Sequence, residues 1–139
     1  MEDDFDWDYA YILRLLRYKL SRTRQCIVAN SRAVSAKKIG KQIRKVEALL
    51  GQVVDDRYYQ KISISFHKKY GQPRILKLPS KKDARAIPIT IRYQKETPQN
   101  SHKLHREAMR LFRKAERMKT MDLKKAFGLM HKEIWGWWD

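Results

Sequence analysis

Asp6-Trp7-Asp8-Tyr9-Ala10-Tyr11-Ile12-Leu13-Arg14-Leu15-Leu16-Arg17-Tyr18-Lys19-Leu20-Ser21-Arg22-Thr23-Arg24-Gln25-Cys26-Ile27-Val28 carries an apolar and a basic periodicity at once. Asp6 suits a helix N-cap, because its carboxylate can accept from a backbone N–H that has no partner in the first turn. Asp8 lies in the positive end of the helix dipole. Tyr9, Leu13, Leu16, Leu20 and Ile27 recur at spacings of three, four and seven, which places them on one apolar stripe that must be buried. Arg14, Arg17, Ser21 and Arg24 repeat on a different face. The spacing predicts one helix over residues 6 to 28, with a hydrophobic seam inward and a guanidinium row outward.

Ser35 is the expected N-cap of a second helix over residues 35 to 54, after a short polar connection. Ile39, Ile43, Val46, Leu50 and Val53 form a narrow heptad-like seam suited to lie antiparallel against Leu13, Leu16 and Leu20. Lys37, Lys38, Lys41, Arg44 and Lys45 crowd its first half, and Gly40 and Gly51 each cost about 1 kcal/mol relative to Ala in a helix interior. From Asp55 to Tyr70 two periods compete. Tyr59, Ile62, Phe66 and Tyr70 have helical spacing, whereas Ile62 to Phe66 alternates like a strand; helix is the reading adopted. Gly71, Pro73 and Pro79 then break the pattern, and Ile87, Ile89, Ile91 and Tyr93 alternate as an edge strand restricted by Pro88. Residues 72 to 99 are thus expected to leave the helical body as two short strands or an extended loop.

Asn100 or Ser101 starts a further helix, over residues 101 to 118, whose buried stripe is Leu104, Ala108, Leu111, Ala115 and Met118. Lys103, Arg106, Arg110, Arg113, Lys114 and Arg117 line its other side for about four turns of 5.4 Å each. Thr120 and Asp122 are expected to cap a last helix over residues 121 to 138, with the seam Leu123, Phe127, Met130, Ile134 and Trp137. Trp135, Trp137 and Trp138 close it; such a cluster either completes a core, fills a partner's pocket or stacks on bases. The expected fold is mainly α, a single basic domain over residues 1 to 139. It is a bundle of four or five helices with an acidic tail at residues 1 to 5 and the excursion at 72 to 99.

Charge bounds the function. The net charge is +17, yet Met1 to Tyr9 carries five acids and no base, so beyond Tyr9 the 32 bases face ten acids, a net of +22. Such an excess repels itself and points to a polyanionic partner, nucleic acid or a nucleoprotein, the bland alternative being a solvated surface. The candidate phosphate-binding residues are Arg14, Arg17, Arg24, Lys38, Lys41, Arg44, Lys45, Lys103, Arg106, Arg110, Arg113, Lys114 and Arg117. A single cysteine, Cys26, forms no internal disulfide, and the acidic start resembles no presequence, so a cytoplasmic protein without a membrane span is expected.

Catalytic signatures are scarce. The sequence contains no Walker loop, no dinucleotide fingerprint, no H-E-x-x-H and no paired Cys ligands. His102 and His105 lie three apart without a completing carboxylate or thiol, and Asp55 and Asp56 with His67 are fewer groups than a metal nuclease needs. Cys26 reads as a buried or idle thiol. No enzyme activity, metal or cofactor is expected.

The stretch from Asp6 to Leu20, together with Val54-Asp55-Asp56-Arg57-Tyr58-Tyr59, His67-Lys68-Lys69-Tyr70-Gly71 and the final Trp137-Trp138-Asp139, resembles a group of small bacteriophage proteins. These open with an Asp-Trp-Asp-rich helix start and end in Trp-Trp-Asp. The resemblance spans both ends and the second helix but not residues 72 to 100; it implies a viral origin and carries over no catalytic residue. The stronger basicity of this chain suggests a specialised nucleic-acid role. The expectation is a non-enzymatic inhibitor of host defence, similar in kind to an anti-CRISPR, which engages RNA (favoured over DNA) or an RNA-guided nuclease in the cytoplasm of the infected bacterium. Trp135, Trp137 and Trp138 are its candidate partner contacts. The alternatives are a general DNA- or RNA-binding accessory of phage replication, transcription or packaging, and, third, a small metal-dependent nuclease.

Overall fold

The computed structural model describes residues 9–30, 34–77 and 89–137. The Asp6 cap, the acidic tail, Pro79, Ile87, Pro88 and Trp138 lie outside them. The chain is mainly α-helical with a short β excursion: α1 Tyr9–Asn30, α2 Val34–Asp55, α3 Tyr58–Ile62, α4 Ile64–Tyr70, β1 Pro73–Lys77, β2 Ile89–Tyr93 and α5 Ser101–Glu133, followed by a 3₁₀ turn Ile134–Trp137. No described helix is long and apolar enough to cross a membrane. Packing divides the chain into two compact units, one made of residues up to Arg57 and from Arg117 onward, the other of Tyr58–Glu116.

The first unit is built on the α1–α2 pair. The heptad-like spacing of α2 buries Ile43, Val46, Leu50 and Val53, and α1 meets them with Leu13 and Leu20, flanked by half-buried Leu16 and Ile27. Ala126 and Trp137 complete this core, with Leu123, Leu129, Met130 and Ile134 packed against it. Ser35, expected as a cap, lies inside α2, which begins at Val34. At the other end Asp56 leaves the helix with φ 47°, a left-handed conformation that a short polar side chain tolerates; its N–H bonds to Gln52 O. Lys119 Nζ then reaches Asp56 Oδ2 and the Tyr9 hydroxyl, each at 2.7 Å.

The expected break between residues 118 and 121 does not occur. α5 runs through Met118-Lys119-Thr120-Met121-Asp122 without interruption, because this segment holds neither Gly nor Pro. Thr and Asp each cost only tenths of a kcal/mol inside a helix. Continuity shifts the seam of its second half: Ala126 is wholly buried whereas Phe127, the expected core residue, stands exposed.

The second unit has its own core of Phe66, Tyr70, Tyr93 and Leu104, with Ala108 and Leu111 packed against it. Leu111, expected on the buried stripe of this helix, packs on this second core, whereas Leu13, Leu16 and Ile43 belong to the first. The ambiguous segment is helical, split into α3 and α4 at buried Ser63, and Gly71 ends α4 with φ +80° and an N–H bond to His67 O. β1 and β2 pair antiparallel with Pro73 opposite Tyr93, Arg74 opposite Arg92 and Ile75 opposite Ile91. Side chains alternate across a strand, so Pro73, Ile75, Ile91 and Tyr93 share one sheet face and the two arginines the other.

The two glycines of α2 sit where α1 approaches closely. A Cβ at Gly40 would lie 2.9 Å from Val28 Cγ2, and one at Gly51 would lie 3.0 Å from Arg17 Cζ. The neighbours differ in freedom: Arg17 is the end of a long side chain, Val28 a short β-branched one. Chemical denaturation should therefore show Gly51→Ala stabilised by up to about 1 kcal/mol, the helix-propensity gain. Gly40→Ala should forfeit that gain and come out neutral or destabilised.

Candidate nucleic-acid interface

Burial of the apolar seams dictates where the bases go. On α2 the inward turn of Ile43 and Val46 leaves Lys38, Lys41, Arg44 and Lys45 exposed. On α5 the burial of Leu104 and Ala115 turns Lys103, Arg106, Arg110, Arg113, Lys114 and Arg117 outward, all of them exposed. Among the described residues no ion pair holds any of these six. Arg106 Nη2 lies 3.3 Å from His102 Nδ1. At 1.5 Å per residue, Lys103 to Arg113 spans about 15 Å of helix, with Arg117 the next position on the row.

The row expected on α1 is not all presented. Arg24 Nε lies 2.6 Å from Glu47 Oε2, with both side chains largely buried, so its charge is spent on the α1–α2 pairing. Helical geometry explains this: at 100° per residue Arg24 lies only about 20° round the helix from Leu13, at the edge of the buried stripe. Arg14 and Arg17 are exposed, and the Arg17 guanidinium lies over Gly51. The tryptophans separate as well. Trp137 is buried in the first core, Trp135 is 81% exposed, and Trp138 lies outside the described residues.

Two features arise only from how the chain brings separate residues together. On the hairpin, Arg74 faces Arg92 directly across the strands, both exposed. Like charges so placed repel, and an anion laid across them would relieve the repulsion. Beside α5 lies a groove of about 420 Å³ lined by Tyr59, Pro73, Ile91, Tyr93, His105, Ala108, Met109 and Phe112. Its rings are mutually arranged. Tyr59 and Phe112 are 6.4 Å apart and tilted by 57°, and Tyr93 meets His105 edge-on at 6.0 Å. Burial, together with the hydrogen bond to the Tyr59 hydroxyl, pushes the Tyr93 phenol up to about 12. The signal existed in the alternation of Ile91 and Tyr93, but only the strand register sets them opposite Ile75 and Pro73.

Of the acidic and histidine candidates, Asp56 and His105 have ionic partners, whereas His67 Nε2 is buried without a hydrogen-bond partner among the described residues. Asp56 is bound by Lys119, and the His67 ring meets those of Tyr59 and Phe66 edge-on. His105 Nε2 lies 2.9 Å from Glu96 Oε1. Among the described residues no group of three His, Cys, Asp or Glu side chains is placed to hold a metal ion. Cys26, read as buried or idle, is exposed on α1.

Glu96 anchors the start of α5. Its Oε1 accepts from the Ser101 hydroxyl at 2.6 Å and its Oε2 from the Tyr93 backbone N–H at 3.0 Å, joining the end of β2 to the helix that carries the row. No family model, curated protein or solved structure matches this chain.

The Ser101 hydroxyl bond, with those from the Tyr93 N–H and His105, outweighs burial and lowers the Glu96 carboxyl from 4.5 to about 2. Because the folded value is the lower one, the unfolded chain takes up the proton first as pH falls. The stabilisation by Glu96 is thus complete above pH 4.5 and is lost progressively down to about 2. Thermal melts recorded from pH 6 to pH 2 should show this acid-dependent component in the wild type. In Glu96→Gln that component should be missing.

Proposed function

We propose that this is a non-enzymatic binding protein that holds the phosphate backbone of nucleic acid, RNA in preference to DNA, along the outer face of α5. The observation that carries this reading is the row itself: Lys103, Arg106, Arg110 and Arg113 stand exposed on successive turns with Lys114 beside the last, and no ion pair neutralises them among the described residues. Four of the five row positions Lys103, Arg106, Arg110, Arg113 and Arg117 are arginine, whose planar fork bonds two phosphate oxygens at once. Arg74 and Arg92 on the hairpin of the same unit supply further positive surface; Lys38, Lys41, Arg44 and Lys45 on α2 are a separate basic face of the first unit.

The resemblance to small phage proteins supports a narrower form of the proposal, in which the RNA is the guide of a host nuclease and binding blocks host defence in the cytoplasm of the infected cell. Recovery of the protein from host lysate tests it. A defined RNA-guided nuclease in the recovered material supports the narrower form, and heterogeneous nucleic acid supports a general accessory role.

Replacing Arg106, Arg110 and Arg113 by Gln removes three phosphate contacts at positions turned away from Leu104. The slope of log K against log salt should flatten by about two to three units, since each contact contributes roughly 0.7 to 0.9. A folded triple variant with unchanged affinity and slope would make the row a solvated face. Purified protein incubated with RNA or DNA and Mg²⁺ or Mn²⁺ should leave the strand intact; cleavage abolished by Asp55→Asn or Asp56→Asn would replace the binding reading with a nuclease.

A further inference from the structure

We infer that the aromatic groove beside α5 is a base-stacking subsite, which makes the protein selective for single-stranded nucleic acid. The inference rests on the reading of the α5 row as a phosphate track and adds what that track holds beside it. Tyr59, Ile91, Met109 and Phe112 line the groove, and Met109 and Phe112 are each 52% exposed, far more than helix residues that serve only a core. Leu104 and Phe66 of the same unit are almost fully covered, whereas Met109 and Phe112 are open on the groove side of α5.

What the groove takes follows from its border. Round the helix, Met109 lies about 40° from Arg113 and about 60° from Arg106, so the apolar strip and the guanidinium row are adjacent faces of one helix. An apolar protein segment would meet a strongly positive flank on that side. A single strand supplies both complements: phosphates for Arg106, Arg110 and Arg113, and unpaired bases whose π-faces suit Phe112 and Tyr59. A duplex keeps its bases stacked inside and can offer only phosphates. Met109 and the Phe112 ring line the groove with no hydrogen-bonding group of their own to distinguish one base from another. The expected preference is therefore for strandedness and not for sequence.

Fluorescence anisotropy with a single-stranded RNA oligonucleotide, an abasic strand of equal length and a duplex tests the inference. The base-bearing strand should bind about 5- to 100-fold tighter than the abasic one. Phe112→Ala should remove most of that advantage while leaving the salt slope and the abasic affinity unchanged; Phe112→Tyr should retain it. A 4-thiouridine strand irradiated with the wild-type protein gives a readout that needs no variant, and its cross-links should fall on Tyr59, Met109 or Phe112. Equal affinity for abasic and base-bearing strands, or cross-links confined to other residues, would overturn the subsite while leaving the phosphate track intact. Absence of salt-dependent binding to every strand would overturn both. If Phe112→Ala instead abolished a concentration-dependent dimer in sedimentation and left strand affinity unchanged, the groove would be a contact between copies and the inference would be wrong.

Discussion

Ile43, Val46, Leu50 and Val53 have lost essentially all contact with water on one face of α2, and the first unit depends on their burial. Each such side chain contributes about 1.5 to 3 kcal/mol when taken from water, an amount that no surface ion pair approaches. That one constraint fixes the rest of the helix. With the seam turned inward, Gly40 and Gly51 meet α1, Glu47 receives Arg24, and Lys38, Lys41, Arg44 and Lys45 have only the solvent side left to them. The basic surface is therefore partly a by-product of the core. It is also a cost, since the charges repel one another in the folded state.

The same logic operates in the second unit with a different outcome. Leu104, Phe66, Tyr70 and Tyr93 close a small core, and the polar bonds around Glu96 fix where α5 begins relative to β2. A two-stranded sheet has too little surface to cover everything beside it. One side of α5 is left with Met109 and Phe112 half in water, next to a row of arginines. Apolar exposure and unneutralised charge are each costly alone, and their adjacency on one helix is what a ligand with both characters would relieve.

Much of this was legible in the spacing of residues. The α2 seam, the inward positions Leu13 and Leu20, and the outward row of α5 follow from periodicity, because burying a regularly spaced apolar seam leaves the bases on the opposite side. What spacing does not resolve is a choice between nearly equal angles. Arg24 sits so close to Leu13 around the helix that the presence of Glu47 on α2 decides its role. Phe127 and Ala126 differ by one position, and the small residue lies inside. Thr120 and Asp122 resembled a cap, yet a cap residue without a breaker beside it does not stop a helix already propagating. The groove and the Arg74–Arg92 pair depend on strand register, which is a long-range property.

The arrangement of the two cores has a bearing on synthesis at the ribosome. Residues 58 to 116 form the second unit as one uninterrupted segment, so it can close as soon as that segment has emerged. The first unit cannot. Its α1–α2 pair is made early, but Ala126 and Trp137, which complete the cover over Ile43 and Leu50, are made about eighty residues later. At about 5 to 20 residues per second that is a delay of several seconds or more. Through that interval the nascent pair carries an incompletely covered apolar seam, flanked by the lysines and arginines of α2. Their mutual repulsion, a liability in the finished protein, keeps neighbouring nascent chains apart while the seam waits for its lid.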